Sequence, residues 1–114
     1  MGKGFLLTGE TIDWYYDQYL AGDRALRRHP DVSPLLAPDL SNAPPALIYT
    51  AAFDPLRDEG QAYAARLEAA SVLVEAHEIA SLPHGFAQMT GGIEAADRAL
   101  EDIAVRVGQR LRAL

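Results

Sequence analysis

Apolar and polar positions alternate along this chain with a period that changes several times, and each change marks an element. Ile12, Tyr15, Tyr16 and Tyr19 recur at steps of three and four, so they share one face of a helix. Thr8 can accept a hydrogen bond from that helix's first turn and Gly22 can end it; the predicted span is residues 1–22. From 23 to 45 the chain is rich in Pro, Asp, Ser and Asn. Its X-Pro steps disfavour continuous helix, and an ordered connecting loop is expected. The run "ALIYTAAF", 46–53, is then apolar without a break, the pattern of a strand covered on both faces in a parallel sheet.

A second helix is predicted over 58–71, with Asp58 as its cap. Ala62, Ala65 and Ala69 with Tyr63, Leu67 and Ala70 supply its apolar side. "VLVEAHEIA", 72–80, reads as a second strand, less apolar than the first and therefore nearer a sheet edge. After the turn "SLPHGF", the positions Ile93, Ala96, Leu100, Ile103, Val107 and Leu111 predict an amphipathic helix over 92–113. Glu94 with Arg98 and Asp102 with Arg106 are paired along it at i,i+4. The expected class is α/β: two parallel strands in one right-handed βαβ unit, flanked by helices.

Composition narrows the function without naming it. A length of 114 residues allows one domain with a modest core, and 49% hydrophobic residues suit a packed protein. The formal charge of −6 argues against nucleic acid or an anionic membrane as partner. There is no cysteine, so neither disulfides nor thiolate chemistry arise. No apolar run reaches bilayer length and none at the amino terminus forms a signal-peptide core, so a soluble, cytoplasmic chain is expected. His29 and His77 lack ligand spacing, and no metal or cofactor is expected. Gly91-Gly92 lacks a phosphate-binding pattern and reads as a turn leading into the last helix.

The chemistry-bearing candidates are Asp54 and His84, each at the carboxyl end of a predicted strand. In open parallel sheets functional groups collect there, and adjacent strands would bring the two together across thirty positions of sequence. A carboxylate that accepts from one imidazole nitrogen fixes the tautomer and leaves the other nitrogen to act as base. Other readings stand beside this one. Asp54 before Pro55 can simply start a turn, and Asp58 and Glu59 suit a helix amino terminus. Arg57 can hold the acid loop by a salt bridge, and the stripe Trp14, Tyr15, Tyr16, Tyr19 reads as core packing rather than a substrate pocket.

"DPLRDEGQAYAARLEAA" followed by "LPHGF", with "FLLTGETIDWYYDQYL" and "DVSPLLAPDLSNAPPALIYTAAFDPLRDEG" in the same order, resembles the carboxyl-terminal part of the α/β-hydrolase fold. The likeness is strongest to the hormone-sensitive-lipase-like esterases and lipases. It implies that Asp54 and His84 are the acid and base of a Ser-Asp-His triad acting on a small-molecule ester, with Gly85 and Phe86 completing His-Gly-Phe. The family's Gly-x-Ser-x-Gly nucleophile turn and glycine-rich oxyanion loop do not occur here, and Ser33, Ser41, Ser71 and Ser81 have no such surroundings. The expectation is therefore a hydrolase segment that is inactive alone. Ser71 stands where the family usually has glycine, Leu73 where proline is common, and glycine is frequent near Ser81.

Two alternatives remain at this point. One is a noncatalytic assembly or binding module that self-associates through an exposed strand edge. The other is a fragment related to dienelactone-hydrolase-like or prolyl-peptidase-like enzymes, which also end in Asp and His.

Overall fold

In the computed structural model residues 7–114 are described. They form α1 (Gly9–Tyr19), β1 (Ala46–Phe53), α2 (Arg57–Ala69), β2 (Val74–Pro83) and α3 (Glu94–Arg112), with 3-10 turns at Arg24–Arg28, Pro34–Leu36 and Phe86–Met89. The part of the first expected helix that falls on residues 1–6 lies outside the described residues. The observed α1 begins at Gly9 because Thr8 Oγ1 accepts the Thr11 N–H at 3.1 Å. Its end uses Ala21 as well as Gly22. Both are left-handed (φ 50° and 81°), and the Gly22 N–H closes on the Asp17 carbonyl at 3.0 Å.

The segment 23–45, expected as a loop, contains two of the 3-10 turns. Asp23 caps the first by accepting from the Ala25 N–H. The second is pinned from α2, where the Arg66 guanidinium donates to the carbonyls of Leu35 and Ala37. Leu40, Leu67 and Val72 then close a small core beneath it.

β1 and β2 pair in parallel, from Ala46 opposite Val74 to Ala51 opposite Ile79. Side chains alternate across the sheet. Ile48 and Thr50 look toward Gly60 and Ala64 of α2, whereas the Tyr49 hydroxyl donates to Asp102 of α3. One helix thus lies toward each face, but the cover expected on both sides is partial: in β1 only Ala51 is buried, and Phe53 is exposed. A second core of Leu82, Ala96 and Ala99 seats α3 on the carboxyl-terminal part of β2, to which Leu82 belongs.

Several boundaries differ from the sequence expectation for physical reasons. α2 starts at Arg57 rather than at a capping Asp58, because the Asp54 carbonyl already accepts the Arg57 N–H at 3.0 Å. Asp58 and Glu59 lie inside its first turn. β2 starts at Val74, not residue 72, because Ser71 and Val72 finish the preceding helix: their N–H groups return to the carbonyls of Glu68 (2.9 Å) and Leu67 (3.0 Å). That closure holds Ser71 at φ 63°, the position where the family resemblance expects glycine. α3 begins at Glu94, with Ile93 at its N-cap.

The aromatic stripe of α1 is not core. No residue of α1 is buried, and Trp14, Tyr15 and Tyr19 are 58%, 58% and 77% exposed. Helical spacing tells which side chains share a face but not whether anything covers it. No helix among the described residues is long and apolar enough to cross a membrane.

Candidate active site

The site is built where the regular pairing of β1 and β2 breaks. Ala51 faces Ile79, yet Phe53 faces Pro83, so two steps on β1 match four on β2. The surplus on β2 is a bulge, and it carries the next residue, His84, level with the next residue of β1, Asp54. Gly85 follows at φ 77°, a left-handed turn that glycine adopts without steric cost, and the chain then winds into the 3-10 turn Phe86–Met89.

His84 Nδ1 donates to Asp54 Oδ2 at 2.8 Å. The other carboxylate oxygen, Oδ1, accepts the Leu56 N–H at 2.8 Å. Asp54 therefore does both things its sequence position allows: one oxygen starts the turn into α2 and the other orients the imidazole. The acid is largely shielded, 11% exposed, and the imidazole is open at 46%. With Nδ1 committed, Nε2 is the nitrogen left to exchange a proton. Arg57 does not hold Asp54; it pairs with Asp58 at 3.0 Å and reaches Glu78 at 3.8 Å.

His84 borders three hollows. One of about 380 Å³ is lined by Leu7, Ile12, Tyr15, Tyr16, Tyr19 and Leu56, and is mostly apolar. A second, about 420 Å³, runs from Ile48 and Thr50 of β1 past Asp54 to Phe86. A third, about 660 Å³, lies against Thr11, Gln88 and Met89. No serine lines any of them among the described residues. Of the α1 aromatics expected as core packing, Tyr15, Tyr16 and Tyr19 are thus pocket walls beside His84, and Trp14 lines none of the three hollows.

A second carboxylate–histidine contact lies under α3. Glu75 accepts from His77 Nε2 at 3.0 Å, from Arg106 Nη1 at 2.6 Å and from Arg110. Asp102 accepts from Arg106 Nε at 2.9 Å and from the Tyr49 hydroxyl at 2.8 Å, and the Tyr49 ring stacks on His77 with centroids 5.1 Å apart. The hydrogen bond from His77, followed by those from Arg110 and Arg106, pulls the Glu75 carboxyl down to about 2. Asp102 is lowered by Arg106 first and Tyr49 second. Burial, reinforced by the hydrogen bond to Asp102, pushes the Tyr49 phenol up to about 12.

Of this cluster the sequence reading contained only the i,i+4 pair Asp102–Arg106. The available signal was Glu75 and His77 two apart on one strand face, opposite basic residues four apart on a helix. What was missing was the angle at which α3 crosses the sheet.

Residues 1–88 match the family model described as alpha/beta hydrolase fold. The chain belongs to that family. The carboxylic ester hydrolase LipN of Mycobacterium tuberculosis is 50% identical over 94 residues, which are 80% of this chain and 25% of LipN. A hormone-sensitive lipase of Ictidomys tridecemlineatus is 43% identical over 61 residues, 52% of this chain and 8% of that protein. Among solved structures, a hyperthermophilic esterase from Pyrobaculum calidifontis superposes with a TM-score of 0.85 at 36% identity, covering 93% of this chain and 34% of the esterase. The α/β-hydrolase chain described here therefore spans about a quarter of LipN and a third of that esterase. Its two parallel strands and flanking helices are a part of the hydrolase fold.

Proposed function

We propose that this chain supplies the acid, Asp54, and the base, His84, of a serine carboxylic-ester hydrolase, with the attacking serine and the oxyanion donors provided by polypeptide outside these 114 residues. The observation that carries this reading is the 2.8 Å bond from His84 Nδ1 to Asp54, which leaves Nε2 uncommitted to that carboxylate on a ring that borders three hollows. A serine hydroxyl placed against Nε2 gives up its proton as its oxygen attacks the ester carbonyl. Asp54 stabilises the imidazolium, which then protonates the departing alcohol. Water enters by the same route, reversed, to release the acid. The apolar hollow walled by Tyr15, Tyr16 and Tyr19 suits the hydrocarbon part of an ester.

The test is a chimera in which this chain replaces the matching third of the Pyrobaculum calidifontis esterase. Hydrolysis of a p-nitrophenyl short-chain ester is expected from the chimera and not from the 114-residue chain alone, and His84→Ala abolishes it. A folded chimera without activity, or turnover by the isolated chain that survives His84→Ala, sinks the proposal.

The open flank of β1 favours a second reading, self-association. Over Ala46–Ala51 the strand pairing among the described residues is with β2 alone, and an edge of that kind invites another strand. The chain also exposes 7727 Å², against roughly 6,100 Å² for a folded monomer of its mass. Light scattering that shows a monomer, with β1 amides protected from hydrogen exchange, would count against pairing between copies.

A further inference from the structure

Gly60 lies in the first turns of α2 and faces β1. A Cβ at this position would stand 2.8 Å from Thr50 Cγ2, well inside the ~3.5–4.0 Å at which carbon atoms rest in contact. The obstacle is stiff, because Thr50 is β-branched and Cγ2 sits one bond from its Cβ. Helix and strand therefore come closer here than a residue with a side chain allows.

The chain that joins these two contact points has no slack. Four residues beyond Thr50 comes Asp54, whose Oδ1 accepts the Leu56 N–H at 2.8 Å and whose carbonyl accepts the Arg57 N–H at 3.0 Å. Pro55 fixes one torsion between them, and the Gly60 N–H returns to the Leu56 carbonyl at 3.0 Å. The turn is thus a rigid arm, and the α2–β1 separation decides where its carboxylate points. His84 is held elsewhere, beyond the bulge of β2 and between Leu82 and Phe86, both of which pack in the core that seats α3. The links that tie α2 to β2, Gln61 to Glu78 at 2.8 Å and Arg57 to Glu78 at 3.8 Å, lie before that bulge on long exposed side chains.

We propose that Gly60 is a positioning residue for the acid–base pair: the bare backbone there sets the gap between α2 and β1 and so keeps Asp54 Oδ2 within reach of His84 Nδ1. Seating a methyl group at Gly60 requires about 0.7 Å of extra separation to restore ordinary carbon contact. Carried along the arm, that displacement takes the 2.8 Å bond past the ~3.2 Å limit of an N–H···O bond. The use of the pair in ester chemistry rests on the function proposed above; the geometric claim does not.

The experiment compares Gly60→Ala, Thr50→Ser and the double variant in the 114-residue chain, reading the His84 tautomer from imidazole 15N shifts; with three histidines in the sequence, His84→Asn assigns the signals. The parent shows the Nδ1–H tautomer. Gly60→Ala moves His84 toward the Nε2–H form, and the double variant, in which Thr50→Ser removes the colliding methyl, restores the parent signature. A purely helical effect of alanine would raise the melting temperature and leave His84 unchanged, which would overturn the proposal, as would a double variant that fails to recover. If Gly60→Ala does not fold, the double variant decides: native His84 signals support the role, and their absence refutes it. In an active chimera, Gly60→Ala is expected to lower kcat by about 10²-fold with KM nearly constant, again with rescue. Inactivity of the unmutated chimera counts against the esterase reading and leaves the tautomer result standing.

Discussion

Among the described residues two imidazoles hydrogen-bond a carboxylate, and only one of the two carboxylates is clear of arginines. At the strand ends Asp54 holds His84 at 2.8 Å with no other cation on the carboxylate among the described residues, and the ring is 46% exposed. Under α3, Glu75 holds His77 at 3.0 Å but also carries Arg106 and Arg110. His77 spends Nε2 on that contact and lies against the Tyr49 ring. The first pair has charge to lend and a free nitrogen facing space. The second is a clasp, its carboxylate already satisfied and its ring enclosed. A hydrogen bond between Asp or Glu and His is thus a poor marker of catalysis until the remaining partners are counted.

Substitution separates the two pairs most sharply. In the completed esterase Asp54→Asn is expected to cut kcat by about 10⁴-fold, since the amide no longer fixes the tautomer or stabilises the imidazolium. Glu75→Gln should leave turnover nearly intact while lowering the melting temperature. Comparable losses of kcat at both positions would break the distinction.

Acid sharpens it next. The Glu75 carboxyl is lowered from 4.5 to about 2 on folding. A depressed carboxyl contributes stability that is present above its unfolded value and lost as pH falls toward the folded one. Helicity followed by circular dichroism should therefore decline between about pH 4.5 and pH 2, and Glu75→Gln should flatten the decline. Alkali gives the mirror case. Tyr49, raised from 10 to about 12, contributes nothing pH-dependent until the unfolded chain ionises. Stability then falls between about pH 10 and pH 12, and Tyr49→Phe removes that fall.

The smallest effect is a control on both pairs. Ser71 at φ 63° belongs to the turn before β2 and to neither pair, and glycine there relieves about 1 kcal/mol of left-handed strain. Ser71→Gly should raise the melting temperature by a few degrees without altering the His84 tautomer. A change at His84 would mean that the site responds to general stability rather than to its own contacts.

How much of this was legible in the sequence varied with distance along the chain. The apolar run of β1 and the three-and-four spacing of α3 report the type of backbone, so both elements could be read directly; they do not report cover, since Ala51 and Ala96 are buried but Ile93, Leu100, Val107 and Leu111 stay exposed. Asp54 and His84 were found because strand ends collect function and because the residues around them carry a family likeness. The end of β2 was not legible, since a bulge is decided by what the neighbouring strand does. The Glu75 clasp joins residues 31 and 35 positions apart, and nothing in local pattern fixes the crossing of a helix over a sheet. Arg57 was assigned to the wrong acid because a carboxylate still nearer in sequence took it: Asp58, the next residue, lies at 3.0 Å, with Glu78 at 3.8 Å across the gap.

The surplus in β2 is an even number of residues, four steps against two, and evenness has a consequence for any attempt to redesign this end of the sheet. Because a pleat repeats every second residue, a strand lengthened by a pair returns in phase, with inward and outward positions unchanged. Lengthened by one, it returns inverted. Where the pleat is regular the reach of the imidazole is therefore tuned in twos; an odd insertion that no further bulge takes up turns the ring to the opposite side of the sheet while the acid stays where it was.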